Sequence, residues 1–351
     1  MEYKFLGNTG LKVSELVFGT QTFGWGADEK TAHEMADFYF EAGGNFFDTA
    51  NIYNEGVSES ILGSWIKKRE NRRSLIIASK VFFPVGDGPN DTGLSRKHIF
   101  QSIDESLRRL QTDYVDLYQF HCYDMSTSLD ETLRALDDIA TSGKVRYLGV
   151  SNYTASQLMK AVAITKMSGF LPISALQAEY SLIVRSTEWE LLPLCVEEGI
   201  GFLAWSPLAG GWLTGKYRRD TNPPPDSRVG RKDRWDDQPE QRESELTWRA
   251  IDTLLEIGKN RDKTPAQVAL NWVLNQPGVT APIIGARTLE QLKDNLGCTG
   301  WELSKDETAS LQKATKIPLP IRTALSGDIQ EEDKGRDSLM FQLAVFSRKK
   351  S

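Results

Sequence analysis

Along this chain, short unbroken apolar runs alternate with longer stretches whose apolar positions recur every three or four residues. The first pattern is that of strands buried on both faces, the second that of helices packed along one side. Tyr3 to Leu6 and Leu11 to Val13 flank Gly7-Asn8-Thr9-Gly10 and read as a hairpin. Strands then follow at Leu16 to Phe18, at Phe46-Phe47, at Leu75 to Lys80, at Val115 to His121, at Arg146 to Val150, at Ala175 to Gln177, at Ile200 to Trp205 and at Thr280 to Ile284. Helical spacing fills the intervals: Glu29 to Glu41, Ser58 to Lys68, Ser95 to Leu110, Ser128 to Thr141, a helix opened by Thr154, Glu188 to Glu198, Glu243 to Lys259, a helix capped by Thr264 with Pro265 in its first turn, Thr288 to Leu296, and Ser304 to Thr315. Ser128 with Glu131, Thr154 with Gln157 and Thr288 with Gln291 are spaced as capping boxes.

Eight strand–helix units in one chain predict an α/β fold, a closed (β/α)8 barrel of the TIM type. It would carry an N-terminal β-hairpin, extra helices and a long loop after the seventh strand, where residues 206–238 are Pro- and charge-rich. The barrel is expected to span 1–316 as a single domain, with 317–351 a tail of no readable role. A doubly wound sheet is the alternative, but no GxGxxG turn follows any strand.

Composition narrows the partners. Of 351 residues, 40% are hydrophobic and 26% charged, ample for a large core, and the net charge of −6 comes with no basic run suited to nucleic acid or an anionic membrane. Lys67-Lys68-Arg69 closes a helix, where cations favour the dipole. Cys122, Cys195 and Cys298 are too far apart for a disulfide framework or a metal motif, which points to a reducing, cytoplasmic setting. The first residues have no apolar signal core, and no apolar run reaches the roughly 18 residues of a membrane span.

The barrel reading gives the polar residues at strand ends a meaning, because all strand ends share one rim. Asp48 ends the second barrel strand and Tyr53 follows in its loop; Lys80 ends the third; His121 ends the fourth. An ammonium beside a tyrosine favours phenolate and is expected to lower its pKa from about 10. Asp48 would hold Lys80 charged, Tyr53 would protonate a carbonyl oxygen as a hydride reaches the carbon, and His121 would orient the same oxygen. A proton donor without a nucleophile or metal cluster suits carbonyl reduction.

The stretch Phe46-Phe47-Asp48-Thr49-Ala50-Asn51-Ile52-Tyr53, with Lys80 and His121, resembles the aldo-keto reductases, and Val150-Ser151-Asn152, Gln177, Trp205 to Gly211, Leu213 to Tyr217 and Ile284 to Arg287 extend the resemblance from about Glu2 to about Lys313. Gly93 to Ile99 and Trp205 to Ala209 are similar to the branch containing the voltage-gated potassium channel β-subunits. The resemblance implies NADPH bound without a Rossmann domain. Asp48, Thr20 and Gln21 would lie near it. Ser151, Asn152 and Gln177 would bond its carboxamide, and Trp205 would stack on the nicotinamide. Ser206, Pro207, Leu208, Ala209 and Gly210 would wrap the pyrophosphate beside Lys216 and Arg228. Gly285, Arg287, Gln291 and Asn295 would hold the adenosine 2′-phosphate end. Thr288 opens a helix whose free N–H groups favour an anion, which fits that end independently. Arg287 departs from the channel subunits, which carry a small polar residue there, and favours NADP over NAD.

Three other readings compete. A channel-subunit-like module would sense redox state through its cofactor without turnover, but those subunits carry Asn where this chain has His121. A barrel isomerase or lyase of phosphorylated sugars would bind phosphate without nicotinamide. Gly210 to Tyr217 nearly spells a phosphate-binding nucleotide loop, but Tyr217 stands where Ser or Thr must hold magnesium. Trp25, Phe82, Phe83 and Tyr123 are the expected walls of a pocket for a small carbonyl substrate, apolar or aryl. Relatives in this branch often form homo-oligomers.

Overall fold

The computed structural model describes residues 1–231 and 242–317. The tail expected from 317 and the end of the long loop therefore fall, beyond those bounds, outside the described residues. β1 (Tyr3–Phe5) and β2 (Lys12–Ser14) form the antiparallel hairpin, with Lys4 opposite Val13. Eight further strands follow: β3 (Val17–Gly19), β4 (Phe46–Asp48), β5 (Ile76–Val81), β6 (Val115–Phe120), β7 (Val145–Ser151), β8 (Ile173–Glu179), β9 (Gly201–Trp205) and β10 (Val279–Ile284). They pair in that order and β10 closes on β3, giving the (β/α)8 barrel.

The chain also divides into two compact units. The first comprises Met1–Ala178, Gly199–Leu203 and Ile283–Leu292. In it, Phe47 packs outward between Tyr39 of the helix Glu29–Glu41 and Trp65 of the helix Val57–Arg69, with ring centroids 5.1 Å and 5.2 Å away. Strand side chains alternate, so Phe46 and Asp48 turn to the opposite face, inside the barrel. The same logic fixes β5. Ser79 donates a 2.5 Å hydrogen bond to Glu59 of the helix Val57–Arg69 on the outer side, so Lys80 points inward. The register aligns Asp48 with Ala78 and Lys80 with Gln119.

Beneath that outer face lies an ion pair. Glu59 is wholly buried and accepts from Arg109 Nε at 2.7 Å, and Arg109 belongs to the helix Arg96–Leu110. Gly56 and Gly63 lie close to Arg109: a Cβ on Gly56 would stand 2.8 Å from its side chain, and one on Gly63 2.2 Å from its carbonyl oxygen.

The second unit takes Glu179–Glu198, Ala204–Pro282 and the described residues from Lys293 on. Its helices include Glu245–Arg261, Pro265–Leu274 and Lys305–Ala314. Trp212 packs on Tyr217 and Trp248 at 4.7 Å and 5.7 Å.

Several local expectations need correction. The helix expected from Glu188 starts at Leu191, after a 3-10 turn over Ser186–Glu188. The helix expected from Glu243 starts at Glu245 because Ser244 caps Thr247. Thr154–Gln157 is a full capping box. In the other two boxes only the forward bond matches: Glu131 instead accepts from the Arg96 N–H, and Gln291 from the Arg287 N–H. Tyr217 is buried in a stretch with no helical structure, so the nucleotide-loop reading fails on structure as well as on sequence.

Candidate active site

Asp48, Tyr53, Lys80 and His121 come together at the C-terminal ends of β4, β5 and β6, all within the first unit. Lys80 is fully buried, and its ammonium uses all three N–H groups. One goes to Asp48 Oδ2 at 2.5 Å, one to the Thr49 carbonyl at 2.9 Å, one to the Tyr53 hydroxyl at 3.0 Å. Burial lowers the Lys80 pKa, but Asp48 and Tyr53 raise it and the net shift is upward, so the group stays an ammonium.

Tyr53 contradicts the sequence expectation. Its pKa is raised above 10, because burial disfavours phenolate more strongly than Lys80 favours it, and the Asp48 charge works against Lys80. Tyr53 is therefore a neutral hydroxyl. Behind it, Asn54 and Glu55 both adopt left-handed backbone, φ 48° and 56°, in a 3-10 turn over Tyr53–Gly56. Such residues cost about 1–3 kcal/mol each and cluster at functional sites.

His121 follows β6 directly. Its ring meets Tyr53 edge-to-face at 5.8 Å and Phe83 at 4.8 Å. Burial, with the Lys80 charge, holds its pKa well below the usual value, so the imidazole is neutral. Its buried Nδ1 has no hydrogen-bond partner among the described residues, and neither has either polar atom of the buried Asn51 amide.

The residues expected to hold a carboxamide also assemble. Ser151 and Gln177 are register partners on β7 and β8. Asn152 takes φ 57°, donates its N–H to the Gln177 carbonyl at 3.0 Å, and donates its side-chain amide to the His121 carbonyl and the Ser151 hydroxyl. Gln177 is not a free hand: its Nε2 donates to Asp48 Oδ1 at 2.8 Å and to Gln119 Oε1 at 3.3 Å. Gln119 was missed from the sequence. It lies two residues before His121, so period-2 alternation was the available signal.

The Thr20 hydroxyl donates to the Asp48 carbonyl at 3.1 Å and pairs with the Ser58 hydroxyl of the helix Val57–Arg69 at 2.8 Å, on the outer side of the barrel. The Gln21 carbonyl accepts from the Trp25 indole at 2.7 Å. Thr22 bonds the Ala286 carbonyl at 2.6 Å, and a Cβ on Gly26 would stand 3.1 Å from Arg287, which joins the loops after β3 and β10. Gly285 and Gln291 are exposed. Of the expected pocket walls, Phe83 meets both His121 and Phe82, the latter at 5.2 Å, while Tyr123 packs on Tyr153 at 5.2 Å.

In the second unit, Trp205 ends β9 and its carbonyl accepts from Tyr180. The loop after it carries left-handed backbone at Ser206, Ala209, Gly210 and Gly211. Its turns are closed by bonds from Ala209 to the Ser206 carbonyl and from Gly211 and Leu213 to the Leu208 carbonyl. Pro207 is buried. A Cβ on Gly211 would stand 2.6 Å from Lys216 Nζ, so that ammonium lies over the loop. Arg228 opens a short helix, and Asn295 is buried near the end of the helix Leu289–Leu296.

A buried lysine–tyrosine–carboxylate cluster with a neutral imidazole can give a proton to a developing oxyanion. The model of the aldo/keto reductase family matches residues 15–316. An uncharacterized oxidoreductase, YrpG, of Bacillus subtilis is 42% identical over 316 residues, covering 87% of this chain and 93% of its own length. A protein of Arabidopsis thaliana named "probable voltage-gated potassium channel subunit beta" is 38% identical over 298 residues, 84% of this chain and 90% of its own. Norsolorinic acid reductase of Aspergillus flavus is 33% identical over 320 residues, 88% of this chain and 79% of its own.

Proposed function

The chain belongs to the aldo/keto reductase family, and we propose that it reduces an aldehyde or ketone to the alcohol with NADPH, reversibly, with Tyr53 as proton donor. The observation that carries this is the direction of one hydrogen bond. Lys80 donates to the Tyr53 oxygen, so the phenolic hydrogen remains to be given to a substrate oxygen. Asp48 keeps Lys80 charged, and the ammonium stabilises the phenolate that forms. The neutral His121 orients the same substrate oxygen. The Phe83 and Phe82 rings beside His121 suit an aryl or apolar carbonyl.

The donor set fits a nicotinamide coenzyme, which would supply the hydride when bound. The buried, unpartnered His121 Nδ1 and the Ser151–Asn152–Gln177 group at the strand ends support a polar ligand there. Both Gln177 N–H groups are engaged, so a carboxamide would address its Oε1. Asp48, Thr20 and Gln21 belong to the same end. We assign Gly285, Arg287 and Gln291 to the 2′-phosphate end. In the second unit, we assign Trp205 to the ring, Ser206, Pro207, Leu208, Ala209, Gly210, Lys216 and Arg228 to the pyrophosphate, and Asn295 to the 2′-phosphate.

A cofactor-sensing module is the second reading, favoured by the likeness to a channel β-subunit; His121 argues for turnover. Loss of NADPH absorbance with a panel of aryl and alkyl aldehydes tests the choice. Tight NADPH binding with no turnover on any of them would favour the sensor. Three free cysteines support a reducing, cytoplasmic setting for an enzyme acting on small molecules; among the described residues no helix is long and apolar enough to cross a membrane.

A further inference from the structure

Asp48 is gripped on both oxygens. Oδ2 receives the Lys80 ammonium, and Oδ1 receives two amide N–H groups, from Gln177 at 2.8 Å and Gln119 at 3.2 Å. The two amides are themselves joined, Gln177 Nε2 to Gln119 Oε1 at 3.3 Å. Gln119 is fully buried and sits opposite Lys80 in the β5–β6 register.

We infer that Gln119 is a positioning residue for the reductase reaction: it fixes Asp48 so that Oδ2 faces Lys80, and it ties the proton-transfer cluster to Gln177 in one hydrogen-bonded unit. This rests on the function proposed above. A neutral amide is the group this position requires. It donates to a carboxylate without adding charge, whereas a cation would compete with Lys80 for Asp48 and an anion would repel it. An apolar side chain would leave Oδ1 with one donor and free the carboxylate to turn. The amide also accepts from Gln177, which sets the plane in which Gln177 Oε1 is presented. Among the described residues the titratable groups at this end are Asp48, Lys80, Tyr53, His121 and Cys122, and Gln119 is hydrogen-bonded only to the first of them.

Two substitutions test this. Gln119→Met fills the space without a donor, and kcat is expected to fall by about 10- to 100-fold at every pH. Gln119→Glu sets two carboxyl groups on one site, where they share a proton. While that proton is held, the introduced carboxyl donates to Asp48 and kcat stays near wild type. As pH rises and the proton leaves, kcat falls in a range where the wild type is flat. A readout without coenzyme or substrate accompanies it. The introduced carboxyl has a folded pKa above its ordinary value of about 4.3, so its contribution to stability is present below that value and lost as pH rises through the folded one. The thermal midpoint of Gln119→Glu should therefore drop relative to wild type over that window. Wild-type kinetics in Gln119→Met would overturn the inference. So would a Gln119→Glu midpoint difference that stays constant from about pH 5 to about pH 9. A wild type inactive on every carbonyl would remove the reductase reading instead, while the midpoint series would still report whether position 119 bonds Asp48.

Discussion

Lys80 Nζ stands 3.0 Å from the Tyr53 hydroxyl as the donor, and the same ammonium stands 2.5 Å from Asp48. One buried cation thus neutralises the Asp48 carboxylate and holds the Tyr53 hydroxyl. Lys80→Met would leave Asp48 buried without its counterion. The expected cost is about 3–5 kcal/mol of stability, together with loss of carbonyl reduction. Denaturant unfolding checks the first and NADPH consumption the second; a fully stable variant would contradict the ion-pair account.

The pH profile follows from two shifts. His121 is held neutral well below the usual histidine range and Tyr53 stays protonated past 10. If Tyr53 is the proton donor as proposed, reduction needs it protonated, so kcat/KM for the carbonyl should be level across neutral pH and fall only in the alkaline range. Oxidation of the alcohol needs the phenolate and should rise with pH. A histidine-like break in reduction between about pH 6 and about pH 7 would be inconsistent with this.

Arg109 and Glu59 make the buried pair behind β5, with Ser79 as third partner. Arg109→Met removes the only cation that the structure pairs with Glu59 among the described residues, and about 3–5 kcal/mol should be lost. Adding Glu59→Gln should recover part of that loss. A double variant no more stable than Arg109→Met would argue against an uncompensated charge as the cause.

Arg287 stands before a helix N-terminus and against Gly26. Arg287→Ala should weaken NADPH binding by about 10- to 100-fold, the worth of a charge-assisted contact, and leave NADH nearly unchanged. Tryptophan fluorescence titration with both coenzymes measures the ratio. Equal losses would withdraw Arg287 from the 2′-phosphate.

The barrel and the polar residues at its strand ends are legible in the sequence. Period-2 alternation and strand ends were enough for Asp48, Lys80 and His121, because a barrel brings all strand ends to one rim. Gln119 is legible by the same alternation, two residues before His121 on the same strand face. The direction of the Tyr53 shift was not legible: sequence names the neighbouring charge, but burial outweighs it. Nor were the left-handed Asn54 and Glu55, since neither is a glycine. Capping boxes were legible in spacing only. Whether Glu131 or Gln291 reaches back to its own cap depends on competing N–H groups from Arg96 and Arg287.

If Tyr53 gives the proton, as proposed, the most direct measurement is wild type beside Tyr53→Phe, followed by NADPH absorbance with an aryl aldehyde and by fluorescence titration with NADPH. The expected result is a kcat lowered by about 10²- to 10⁴-fold with coenzyme affinity unchanged. Turnover in Tyr53→Phe equal to wild type would contradict it.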